Sequence, residues 1–149
     1  MGGCGPGEDG KVGRRVVSGF LDTSMVVRYL IRDVPEMAER AAAVIDSEEQ
    51  LWITGVVLAA VSYALRSTYL LPREIVIDHM MAFLGKENIS CYGLDKGTVL
   101  RALLMCRPSG RISMADALIW AAARSSGRNV VYSFDARFPS EGIEVRAGL

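Results

Sequence analysis

Apolar positions along this chain fall into two kinds of run. Short stretches of consecutive apolar residues bounded by Gly, Ser or charge read as buried strands: Val16 to Leu21, Leu51 to Thr54 closed by Gly55, Ile89 to Leu94, and Asn129 to Phe134. A last edge strand is expected at Ile143-Glu144-Val145. Between them the apolar period becomes helical. Met25, Val26, Tyr29 and Leu30 mark one helix, and Pro35 opens a second, with Glu36 and Glu39 near its positive end. Val56 to Tyr69 is a third, Pro72 begins a fourth that runs through Leu84, and Lys96 to Cys106 is a fifth. Ile112 to Arg124 is a sixth, Ala-rich and apolar nearly all round, closing at Ser126-Gly127. Strands alternating with helices predict an α/β domain, doubly wound, with a mostly parallel sheet of four or five strands flanked by helices. In such sheets ligands bind beyond the carboxyl ends of the strands.

Composition changes this picture little. The 149 residues suffice for one domain with a real core, half of them are apolar, and Lys plus Arg balance Asp plus Glu at 17 each. A general polyanion binder is therefore not implied, but the charge is unevenly spread. Positions 33 to 49 are acidic, whereas 97 to 137 carry Arg101, Arg107, Arg111, Arg124, Arg128 and Arg137 against only Asp116 and Asp135. The three cysteines are odd in number and lack C-x-x-C spacing, which argues against a zinc site or a disulfide framework and for a reducing, cytoplasmic setting. No run approaches a membrane span, and residues 1–14, rich in Gly, read as a flexible tail ahead of a domain over 15–149.

The chemistry concentrates on three acids. The first strand runs into Asp22, the fourth into Asp135, and the sixth helix opens on Asp116. A carboxylate in an apolar setting is costly unless it is hydrogen-bonded, paired or holding a metal. Each has a plain structural role available: Asp22 as a helix cap, Asp116 with Ser113 as a reciprocal capping box, and Asp135 as a turn residue. Together they suggest one acidic site at one edge of a sheet. His79 reads as an ordinary helix position.

Leu21-Asp22-Thr23-Ser24, Ala115-Asp116-Ala117-Leu118-Ile119 and Ser133-Phe134-Asp135 resemble the three acidic signatures of PIN domains, closest to VapC-type toxins of toxin–antitoxin pairs. The resemblance covers roughly residues 16 to 147. It implies a Mg²⁺- or Mn²⁺-dependent endoribonuclease that forms a homodimer and is silenced by a VapB-like antitoxin. Asp22, Asp116 and Asp135 would be the catalytic and metal-binding acids. Thr23, Ser24 and Ser133 would help position substrate, with Arg101, Arg107 or Arg111 on the RNA backbone. A fourth acid, a Glu in a V-L-A-E-V pattern, is replaced here: Val57-Leu58-Ala59-Ala60-Val61 puts Ala60 in its place. Two origins fit, an engineered Glu→Ala change that disarms a nuclease and a natural member with a weakened site.

Three carboxylates with no His or Lys base imply metal-assisted phosphodiester hydrolysis, in which an ion acidifies water and stabilises charge on oxygen. With one acid missing, that activity is expected to be impaired. The alternative is an inactive PIN-like module that binds RNA or a protein partner. A response-regulator-like domain would want a Lys after a late strand, and Lys occurs only at 11, 86 and 96. The homodimer is expected through the helices between Val56 and Leu84, using Leu65, Tyr69, Ile75, Ile77, Met80 and Met81.

Overall fold

The structure, a computed structural model, describes residues 18–149. The tail expected over 1–14 and the first residues of the expected opening strand, Val16 and Val17, lie outside the described residues. Strand β1 (Ser18–Phe20) leads into α1 (Thr23–Ile31) and α2 (Pro35–Ile45), then β2 (Gln50–Ile53). Helices α3 (Gly55–Ser67) and α4 (Arg73–Leu84) connect it to β3 (Ile89–Cys91). Then come α5 (Lys96–Cys106), α6 (Met114–Ser126), β4 (Val130–Tyr132) and β5 (Glu144–Arg146).

Among the described residues every strand pairing is parallel, and β1, β2 and β3 lie side by side in chain order. Parallel neighbours need long right-handed crossovers, which the helix pairs α1–α2 and α3–α4 supply. The two pairs meet through α1 and α3. Leu51, Ile53, Ile89 and Cys91 are buried in the core, while Trp52 and Ser90 alternate outward and are only partly covered. On that second face Trp52 Nε1 donates to Ser18 Oγ at 2.9 Å, and Tyr92 meets the edges of both Phe20 and Trp52.

Strands β4 and β5 form a separate two-stranded parallel sheet, so five parallel strands are present as three plus two. Each strand is only three or four residues long. Such short ladders leave little backbone to zip the two groups together. Helix α6 packs on α3, α5 and β4. Its Trp120 is fully buried and donates from Nε1 to Glu141 O at 2.9 Å, tying the loop before β5 to the core.

Helix ends follow local chemistry. Asp95 caps α5 by accepting from Thr98 N–H at 2.9 Å, and Thr54 caps α3 by accepting from Val57 N–H. Gly127 ends α6 in the left-handed region at φ 77°, where a side chain would meet no neighbour but the backbone would be strained. Gly127→Ala is therefore expected to lower stability by roughly 1 kcal/mol, read as a lower urea midpoint at unchanged slope.

The expected dimer contacts need correction. Leu65, Ile77 and Met80 belong to the protein's own core, and Tyr69 and Met81 pack against it. Helices α3 and α4 bury them because they contact other helices on more than one side: α3 meets α1, α4 and α6, and α4 meets α3 and α5. Of the six, Ile75 alone is substantially exposed, and Val56 and Leu70 join it at the surface.

Candidate functional site

Asp22 follows β1 by two residues. Leu21 prolongs the strand by donating its N–H to Trp52 O at 2.9 Å, and the chain then turns into α1 with Asp22 exposed at the N-cap position. Its carboxylate accepts no capping hydrogen bond from the helix. Ser24 Oγ donates to Asp22 Oδ2 at 3.3 Å, which holds the carboxylate from one side. Thr23 is the first residue of the helix and is half-buried.

Asp116 is the third residue of α6. The expected capping box is only half made: Ser113 Oγ accepts from Asp116 N–H at 3.0 Å, but among the described residues no donor or cation takes up the Asp116 carboxylate. A half-buried carboxylate at a helix N-terminus is favoured by the dipole and left open to a ligand.

Asp135 is engaged differently. Its Oδ1 accepts from Arg137 N–H at 2.8 Å, with Arg137 Nε 3.7 Å away, and its own N–H donates to Ser133 Oγ at 3.0 Å. The turn role available to Asp135 is thus realised, and the Ser133 hydroxyl is occupied in the same turn.

These donors are of the right kind for a hard divalent ion. Their gathering is not: among the described residues, no group of three or more His, Cys, Asp or Glu side chains lies close enough to hold a metal. The residues present do not make a metal centre as they stand.

Ala60 is half-buried on α3. Its neighbour Ala59 and Asp116's neighbour Ala115 line one pocket of about 570 Å³, so positions 60 and 116 follow directly on residues that share a hollow. Of the three candidate arginines, Arg101 pairs with Glu141 at 3.2 Å and lies 5.6 Å from the centre of the Trp120 ring. Arg107 is held bidentately by Asp78 at 2.8 and 2.9 Å, which also keeps the Asp78 carboxyl below its ordinary pKa. Arg111 is exposed and has no ion pair among the described residues. The sequence reading missed Ser62, Tyr63, Arg66 and Arg73, which line hollows beside the start of α6. Ala59, Ser62, Tyr63 and Arg66 follow helical spacing, which was the available signal.

The family model of the PIN domain matches residues 19–141, from within β1 to the loop before β5. The chain belongs to the PIN family. The match takes in Asp22, Ala60, Asp116 and Asp135 and leaves residues 1–18 and 142–149 outside it. PIN domains are generally metal-dependent nucleases, and PIN nucleases act on RNA. Among curated proteins none matches this PIN chain significantly. No helix among its described residues is long and apolar enough to cross a membrane.

Proposed function

We propose that this PIN domain, over residues 15–149, is a VapC-like endoribonuclease in which the acidic site has lost one carboxylate at Ala60. The single observation carrying this reading is that one family match spans Asp22, Asp116 and Asp135 while a methyl group stands at position 60. Asp22 and Asp116 would act as the open acids, oriented by Ser24 and by the α6 N-terminus. Asp135 would stand as the third, shared with Arg137 and the Ser133 turn. Thr23 and Ser133 would lie beside the substrate. The divalent ion, Mg²⁺ or Mn²⁺, would require the fourth carboxylate for firm binding, because charge count tunes affinity at such sites.

The same reading assigns a VapB-like antitoxin and a homodimer as partners, in the cytoplasm. Val56, Leu70 and Ile75, exposed at 78%, 79% and 42%, offer apolar contacts for the dimer.

The test is cleavage and binding of a labelled single-stranded RNA panel, with Mn²⁺ and with EDTA. The expected result is retained RNA binding with cleavage that is very slow or undetectable and is removed by EDTA. Full-rate cleavage by the chain as it is would show that the fourth acid is dispensable. Absence of RNA binding would remove the ribonuclease reading and leave a protein-binding module.

A further inference from the structure

Arg66 and Arg73 line a pocket of about 190 Å³ with Ser62, Cys106, Gly110 and Ser113. Ser62, Arg66 and Met114 also line the hollow of about 570 Å³, so the two adjoin, and Tyr63 and Ala115 belong to the larger one. No acidic side chain lines either. Among the described residues, neither Arg66 nor Arg73 has an ion pair or hydrogen bond, unlike Arg28, Arg101, Arg107, Arg137 and Arg146.

Ser62 supplies an independent sign. It is only 9% exposed, it lines both hollows, and its hydroxyl has no hydrogen-bond partner among the described residues. A buried hydroxyl without a partner is costly and uncommon. Cys106 does not compete for an anion: burial pushes its thiol up to about 11, so it stays neutral.

We infer that the two hollows form a subsite for a backbone phosphate of single-stranded RNA, with Arg66 and Arg73 as its guanidinium forks and Ser62 as a further donor. Guanidinium matches phosphate bidentately. Tyr63, 74% exposed beside Arg66, gives the adjoining base a stacking surface. The hollow's wall includes Met114 and Ala115, so a strand seated there passes the residues immediately before Asp116. This subsite rests on the ribonuclease reading and adds the groups that hold the substrate.

The test is fluorescence anisotropy of a labelled single-stranded RNA with the full chain in EDTA, so that binding is read without cleavage. At about 0.1 M salt, Arg66→Gln and Arg73→Gln are each expected to weaken binding about five-fold and to flatten the logarithmic salt slope by about 0.7. The double variant should lose about 25-fold. Arg128→Gln, which removes the same charge just past the far end of α6, should stay within about two-fold. Because Arg73 is half-buried, Arg73→Lys serves as a second variant that keeps the charge and the salt slope while weakening binding. If Arg66→Gln and Arg73→Gln bind no more weakly than Arg128→Gln, the subsite is overturned while the ribonuclease reading stands. If the unaltered chain binds no RNA, both fall. If inorganic phosphate stabilises the unaltered chain but not the double variant, and the two bind RNA equally, the pocket takes free phosphate and the RNA assignment is overturned.

Discussion

Ala60→Glu is expected to raise Mn²⁺-dependent cleavage of single-stranded RNA on the order of 100-fold, the size of effect seen when one group that stabilises transition-state charge is removed or supplied. Position 60 is half-buried rather than core, so a longer side chain there need not displace packed residues. Ala59 faces the hollow that Ala115 also lines, and the adjacent positions are 60 and 116. Under the proposed function a carboxylate at 60 joins Asp116 in one site, since the PIN match takes in both positions and the Asp116 carboxylate has no partner among the described residues. Under that reading the new charge would add repulsion in the absence of metal and would supply a ligand in its presence, where Asp22, Asp116 and Asp135 alone form no metal-holding group among the described residues. The variant should accordingly melt lower than the present chain in EDTA and higher in Mn²⁺. Adding Asp116→Asn should return cleavage to background, because the restored site depends on both carboxylates. Initial rates on a denaturing gel check both steps.

Trp120→Ala is expected to cost about 3–5 kcal/mol. The ring is fully buried where α6 meets α5 and the loop before β5, and the change removes its packing and its hydrogen bond to Glu141 O together. Arg101 and Arg124 each lie 5.6 Å from the ring centre, so two cation–π contacts go as well. Typical domains are stable by only about 5–15 kcal/mol, so this single change is enough to leave the chain marginal. Urea denaturation measures it. A midpoint close to that of the unaltered chain would mean that α6 is not the keystone of this packing.

Much of the fold was legible because local chemistry and tertiary packing agree. Helix α5 spans the expected Lys96–Cys106, with Asp95 at its cap, and α2 starts at Pro35 because proline fits a first helical turn. The grouping of the strands was not legible. Short apolar runs announce strands, but which strands hydrogen-bond to each other depends on crossover geometry that no local pattern encodes, and β4–β5 stands as its own pair. Helical periodicity likewise could not tell a helix with two buried faces from one with a face to spare. That is why Leu65, Ile77 and Met80 looked available for a dimer and are core.

At the candidate site, the three acids stood out as charges at strand and helix boundaries. Their different engagements did not: among the described residues the Asp116 carboxylate is left open, Asp22 accepts from Ser24, and Asp135 is tied to Arg137. The arginines show the same divide. Charge counting singled out Arg101, Arg107 and Arg111; the first two are taken up by Glu141 and Asp78 from distant parts of the chain, whereas Arg111, like Arg66 and Arg73, has no ion pair among the described residues.

The central claim is that this is a PIN carboxylate site short of one ligand. Titration of Mn²⁺ into the present chain, Ala60→Glu, and Ala60→Glu with Asp116→Asn tests it most directly. The account predicts that Ala60→Glu binds the ion at least about ten-fold more tightly than the present chain and that Asp116→Asn reverses the gain, since each added or lost carboxylate tunes divalent affinity. Equal Mn²⁺ affinity in all three proteins would contradict it.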